Sequence, residues 1–309
     1  MTLPKVLTIY AVTNSRMEIT EMHENSKPNV KTKQNQSLVL VTAIYWVLIL
    51  LRPRNLFGDL GKIAKINSSI TLLAFVYIHG IKRYGRRHMR VWFALTFILT
   101  WLIETISITY GSPFGNYYYT DLLGIKIGKV PLGIMPAYFT TGYLAWTMGT
   151  NFLNNLGTGI EKRNLFLVPF ISSFIMVMWD YCFEPIKSTI AGAWVWEDVG
   201  AYYGVPISNF FGWFLLVYTT FQLYALYLYR FNNNQNVKQS KTFWILAPIM
   251  FLGLSLEYLI YPFTETTNQE IYWSIFLGTI FTMVFTSILN IIIVKRIEDR
   301  YFTARVITN

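Results

Sequence analysis

Asp180 and Glu184 stand four residues apart, so on a helix they share one face about a turn from each other. Both lie in sequence apolar enough to enter a membrane. A third carboxylate, Glu104, follows Thr100, Trp101, Leu102 and Ile103 inside another apolar run. Acids in such surroundings cost free energy and mark catalytic groups or ion and proton pathways. A carboxyl group withdrawn from water holds its proton more readily, because desolvation disfavours the charged form, and so it suits general acid-base work. Around the first pair the chain gathers Trp179, Pro185, Trp194, Trp196, Gly204, Pro206, Asn209, Gly212 and Trp213.

A second unusual stretch runs from Thr109 to Tyr119. Gly111 and Gly115 bracket Pro113 and Phe114, a composition for a tight turn that approaches other backbone closely. Tyr117, Tyr118 and Tyr119 then supply hydroxyls and π faces. The two facts together predict a re-entrant or lid loop over the outer mouth of a pocket. Plainer readings stand beside these. Glu184 or Glu257 alone is as readily an acid solvated at a helix end, Glu104 a structural hydrogen-bonding group, and Tyr258, Tyr261, Tyr272 and Trp273 members of an interfacial aromatic belt. The belt accounts less well for Trp194 and Trp196, which lie in a glycine-rich loop with Gly192, Gly200 and Gly204. Irregular backbone at membrane depth is tolerated only around a cavity or inside protein.

The elements that must position these residues are membrane spans. Of 309 residues, 53% are hydrophobic and 14% charged, against about a quarter charged in soluble domains. Apolar runs near the roughly 20 residues that cross a bilayer fall at 37–51, 63–81, 89–110, 130–152, 164–183, 207–229, 243–262 and 271–294. The reading is an all-α, polytopic bundle of seven or eight spans, the first being short. Residues 1–36 form a polar, partly disordered cytosolic tail, 37–295 the membrane domain and 296–309 a cytosolic C-terminal tail. The net charge of +10 sits in short loops, which fits positive-inside topology better than nucleic-acid binding. Lys82, Arg83, Arg86, Arg87 and Arg90 mark one inner loop; Lys162 with Arg163, and Lys295 with Arg296, mark others. Only Arg52, Arg54 and Lys62 disagree, falling outside if the first span crosses. This topology brings Glu104, Asp180, Glu184 and Glu257 to the outer face of a cell-membrane protein whose termini are cytosolic. Pro185 is expected to end its helix. Cys182 is the single cysteine, which rules out an intrachain disulfide. His23, His79 and His88, spread over the tail and a basic loop, lack metal-site spacing.

In their order and spacing these motifs resemble the integral-membrane carotenoid hydratases, the family of γ-carotene 1'-hydroxylase and bisanhydrobacterioruberin hydratase. The resemblance covers roughly residues 40 to 295. It rests on Glu104; on Gly111, Pro113, Phe114, Gly115, Tyr117 and Tyr119; on Trp179, Asp180, Glu184 and Pro185; on Trp194 and Trp196; and on Gly204, Pro206, Asn209, Gly212 and Trp213. Position 184 departs from the pattern, since aspartate is expected before that proline; glutamate keeps the acid and lengthens its reach.

The resemblance implies a hydro-lyase of carotenoid biosynthesis, without cofactor or metal, that adds water across the terminal C1=C2 double bond of an acyclic carotenoid end group. Its partners are then the polyene substrate, membrane lipid and other enzymes of the pathway. Asp180 is assigned as proton donor and Glu104 as its partner, with exchange of the two roles left open. Glu184 completes the acids, and Asn209 holds water or a carboxyl group. Trp179, Trp194, Trp196, Trp213, Phe114, Tyr117 and Tyr119 contact substrate, while Gly111, Gly115, Pro185, Gly204, Pro206 and Gly212 shape the backbone. Two alternatives stand: a membrane lycopene cyclase, disfavoured because Pro206-Ile207-Ser208-Asn209 carries no acid pair, and a transporter or lipid-binding protein.

Overall fold

The computed structural model of the chain describes residues 30–198, 200–232 and 239–298. The expected disordered tail therefore lies outside the described residues up to position 29, as do His23, most of the 231–241 linker and the C-terminal tail from position 299. Helices dominate: α1 (Val30–Leu50), α2 (Arg54–Tyr110), α3 (Ile134–Phe152), α4 (Leu167–Pro185), α5 (Ile207–Phe231), α6 (Lys241–Thr264), α7 (Gln269–Thr279) and α8 (Phe285–Arg296). Four short strands lie between them: β1 (Tyr117–Tyr119), β2 (Lys126–Ile127), β3 (Val130–Pro131) and β4 (Trp194–Trp196). Among the described residues five helical segments are long and apolar enough to cross a membrane: Leu56–Tyr110, Lys162–Ile190, Ile207–Phe231, Lys241–Thr264 and Gln269–Arg296. The chain is an integral membrane protein built of helices. The apolar part of α1, Asn35–Leu50, is shorter, as the sequence suggests.

The 57 residues of α2 do not form one rod. Gly85 has φ 79° and ψ 165°, a conformation open to glycine and strained for other residues. The two flanks of that residue meet the same helix at matching heights. His79 and Trp92 both contact Tyr143, Arg83 reaches Thr150, and Glu104 reaches Tyr138. The helix therefore folds back at Gly85, and its halves run antiparallel beside α3. The basic loop expected between two spans is thus reduced to a single non-helical residue. Arg83, read from the sequence as a loop marker, is 3% exposed and donates to Thr150 Oγ1 at 3.0 Å and Asn155 O at 3.3 Å. His79 belongs to the core, between Tyr143 and the carbonyl of Phe243, and not to a basic loop.

Pro185 does not end α4 as expected. The chain continues as a π-helical turn, Ile186–Ile190, in which Ala191 N–H donates to Ile186 O at 2.9 Å. A proline inside a helix lacks the N–H that would bond the carbonyl four residues back, here that of Tyr181. Tyr202 donates its hydroxyl to that carbonyl at 3.3 Å, so the acceptor is satisfied from outside and the wider turn goes on.

Strands β1 and β4 pair antiparallel, Tyr117 opposite Trp196 and Tyr119 opposite Trp194. Side chains alternate across a strand. Tyr118 and Val195 consequently point outward and are exposed, while the two tyrosines and two tryptophans share the inner face. A second small ribbon, β2 with β3, follows.

Candidate active site

Glu104 lies near the end of α2 and is 2% exposed. Its Oε2 accepts the hydroxyls of Tyr117 at 2.5 Å and Tyr119 at 2.9 Å, and its Oε1 accepts that of Tyr138 at 3.2 Å. The period-two spacing of β1 aims the first two at one carboxylate; the third comes from the first turns of α3. Burial first, and then the charge of Glu104, push the Tyr117 and Tyr119 hydroxyls well above the ordinary tyrosine range. They are therefore fixed donors.

Glu184 is held from the other strand. Its Oε1 accepts the indole N–H groups of Trp194 at 2.6 Å and Trp196 at 2.8 Å. Trp-x-Trp does for Glu184 what Tyr-x-Tyr does for Glu104, and the ribbon presents both pairs on one face. Tyr117 lies 4.8 Å from Trp196 and Tyr119 5.7 Å from Trp194, centroid to centroid.

Asp180, one turn before Glu184 on α4, is fully buried and accepts a single hydrogen bond, from Asn209 Nδ2 at 3.0 Å. Its Oδ1 has no protein partner among the described residues. Asn209 stands in the first turn of α5, which starts after extended Pro206 (φ −65°, ψ 141°).

These groups surround a cavity of about 40 Å³. Of the residues singled out in the sequence, Glu104, Glu184, Asn209, Phe114, Tyr117, Tyr119, Trp179, Trp194, Trp196 and Trp213 line it. Asp180 does not; it sits one layer behind, against Asn209. Four lining residues were not expected: Ile134, Ala137, Tyr138 and Phe183. Nothing in the apolar run that becomes α3 distinguishes Tyr138 from a core aromatic, and only the fold brings its hydroxyl to Glu104. The walls interlock through ring contacts: Trp213 stacks on Tyr138 at 4.2 Å and Trp179 on Phe183 at 4.5 Å.

The glycine-rich turn is bolted to α5. Gly111 ends α2 at φ 71°, a left-handed cap, and Ser208 Oγ donates to Phe114 O at 2.7 Å. A Cβ on Gly212 would meet Phe114 Cδ1 at 2.6 Å and Pro113 O at 2.9 Å, so helix and turn touch backbone to backbone. Gly115 and Gly204 also hold positive φ, 126° and 86°. Glu257, a fourth and mostly buried carboxylate, does not line this cavity and is engaged differently. It pairs with Arg52 and accepts the Tyr261 hydroxyl at 2.5 Å.

Helices, ribbon and chamber define a helical integral membrane protein with a carboxylate-lined, aromatic enclosure near one end of the bundle. The chain belongs to the carotenoid biosynthesis protein family, whose profile matches residues 65–285. It is also similar to bisanhydrobacterioruberin hydratase of Haloarcula japonica, with 29% identity over 114 residues, 37% of this chain and 36% of that one. The chain thus aligns with about a third of that relative's length. No solved structure matches.

Proposed function

We propose that the chain is a hydro-lyase that adds water to the terminal C1=C2 double bond of an acyclic carotenoid end group, giving a tertiary alcohol without a redox cofactor. The observation that carries this reading is the uneven supply of hydrogen bonds to three carboxyl groups around one aromatic space. Glu104 accepts three, Glu184 two and Asp180 one. Donated hydrogen bonds favour a carboxylate over its acid, so Asp180 is the group best suited to carry a proton and the other two to stand as anions. The family and the similarity to a hydratase point the same way.

In the reaction a water beside Asn209 carries the Asp180 proton from its unpartnered Oδ1 side into the chamber, where it adds to C2, the alkene π pair forming the new C–H bond. A tertiary cation remains at C1. Trp179, Trp213 and the ribbon aromatics present π faces to it, each worth about 0.5–2 kcal/mol, and the carboxylates of Glu104 and Glu184 stabilise it through charge. Water attacks C1; the oxonium proton passes to Glu104 or Glu184 and returns to Asp180. Alkene and water are consumed and nothing else. Substituents of the ring wall, Phe114, Tyr117 and Tyr119, hold the end group in place.

The topology that serves this chemistry counts eight passes, with α2 crossing twice around Gly85, both termini cytosolic in the cell membrane, and the β1–β4 ribbon roofing the outer mouth as a lid. The test is expression in a host that makes lycopene or γ-carotene, followed by mass analysis of the pigment. The expected product is heavier by one water and absent in Asp180→Asn at equal protein level. A product of unchanged mass with a closed ring would replace hydration by cyclisation, and undiminished hydration in Asp180→Asn would sink the donor assignment.

A further inference from the structure

The carboxylate cavity, about 40 Å³, has room for a few water molecules but not for a branched terpenoid end. Directly beside it lies a much larger cavity of about 430 Å³, walled by the first half of α2, α3, α4 and α6. Ala137, Trp179 and Phe183 line both spaces. The partition between them is formed by Ala137 and the two stacked rings of Trp179 and Phe183. The larger cavity has Leu72, Leu73, Thr140 and Thr141 along its apolar length and a charged end where Arg52, Lys65, Lys187 and Glu257 line it, Lys65 standing eight residues before Leu73. Eight helical residues span about 12 Å, so it runs along the bundle axis as a groove, and Ser69 and Leu73 are exposed on the side of α2.

Resting on the proposed hydration, we infer that this groove binds the polyene chain of the substrate, whose end group enters the carboxylate chamber by displacing Phe183 and Trp179 over Ala137. The linear, apolar shape of a polyene matches a long groove open to lipid, and entry from the side keeps bulk water out of the chamber. The groove and the chamber then divide the work: the first selects chain length, the second reacts with the end.

The experiment compares two substrates in proteoliposomes, a full-length acyclic carotenoid and a short acyclic terpenoid with the same terminal double bond. Ser69→Trp and Leu73→Trp put an indole into the groove from exposed positions, and Ile66→Trp, on an exposed position outside it, is the control. Overfilling costs should lower turnover of the long substrate about tenfold in both groove variants, with the short substrate and the control unchanged. Equal turnover of the long substrate in groove variants and control overturns the inference, as does an equal loss on both substrates. If the unmodified protein hydrates neither substrate, the hydratase reading falls instead. The groove is then judged by copurifying polyene pigment, which Leu73→Trp and Ser69→Trp should deplete and Ile66→Trp should not; pigment retained in all three overturns it.

Discussion

Three tyrosine hydroxyls on one glutamate make Glu104 the most heavily ligated acid of the chamber, and each hydroxyl can be removed alone. Tyr117→Phe or Tyr138→Phe should lower hydration roughly ten- to a hundredfold, the worth of about 1.5–3 kcal/mol for a hydrogen bond to a charged group. Tyr118→Phe, on the outer face of the ribbon, should leave it unchanged; pigment analysis of the three variants decides. The tyrosines also fix a pH response. For Tyr117 and Tyr119, on the ribbon, the folded-state pKa lies above the unfolded value, so they favour the fold fully below about pH 10 and lose that contribution as pH rises through the folded value. An alkaline limb below pH 10 that disappears in Tyr117→Phe would show that a tyrosine ionises earlier than its burial and the Glu104 charge allow. Asp180 differs from both glutamates in having an oxygen with no protein partner, and Asn209→Ala should leave it with none, reducing product while protein level holds.

Two elements carry departures from regular structure that can be probed separately. Tyr202→Phe strands the Tyr181 carbonyl beside Pro185 and should cost about 1–3 kcal/mol. In a Pro185→Ala background the restored N–H can take that carbonyl, and the same change should cost far less; thermal unfolding in detergent over the double-mutant cycle measures the coupling. Equal costs in both backgrounds would remove Tyr202 as the compensating group. Gly212→Ala should destabilise the α5 contact by about 1–3 kcal/mol through overpacking, because the nearest atoms include backbone of Pro113. Much of this was legible beforehand. The acids, the aromatic pairs and Asn209 announced themselves because polar and aromatic groups stand out against apolar sequence. Pairing of β1 with β4 was not read, although Tyr-x-Tyr and Trp-x-Trp both carry the period of a strand; the segments are far apart and each is only three residues long. Tyr138 was hidden because its neighbours are equally apolar and its role depends on α3 meeting α2. The continuation past Pro185 was hidden because the hydroxyl that satisfies the freed Tyr181 carbonyl, from Tyr202, lies 21 residues further on.

For the molecule as a whole the discordant arginine gains a reason. The proposed topology puts Arg52 on the outer face, where positive charge is disfavoured; it is paired with Glu257, both side chains mostly buried at 12% and 15% exposure. Arg52→Gln removes the ion-pair partner of Glu257 and leaves it Tyr261 with the more distant Lys65 and Lys187, so it should cost at most about 3–5 kcal/mol, whereas Arg52→Gln with Glu257→Gln should be milder; detergent melting curves that rank them the other way would refute the pairing as the source of tolerance. The spacing of the chamber's hydrogen bonds bears on how such a protein is made. Glu104 finds its donors 13, 15 and 34 residues downstream, Glu184 at 10 and 12, and Asp180 at 29. Glu104 and Glu184 are thus followed in synthesis by the groups that donate to them, whereas Asp180 gains one donor and keeps an oxygen without any. The two glutamates can therefore gather their donors locally, each within its own stretch of chain, before the slow long-range step of joining β1 to β4.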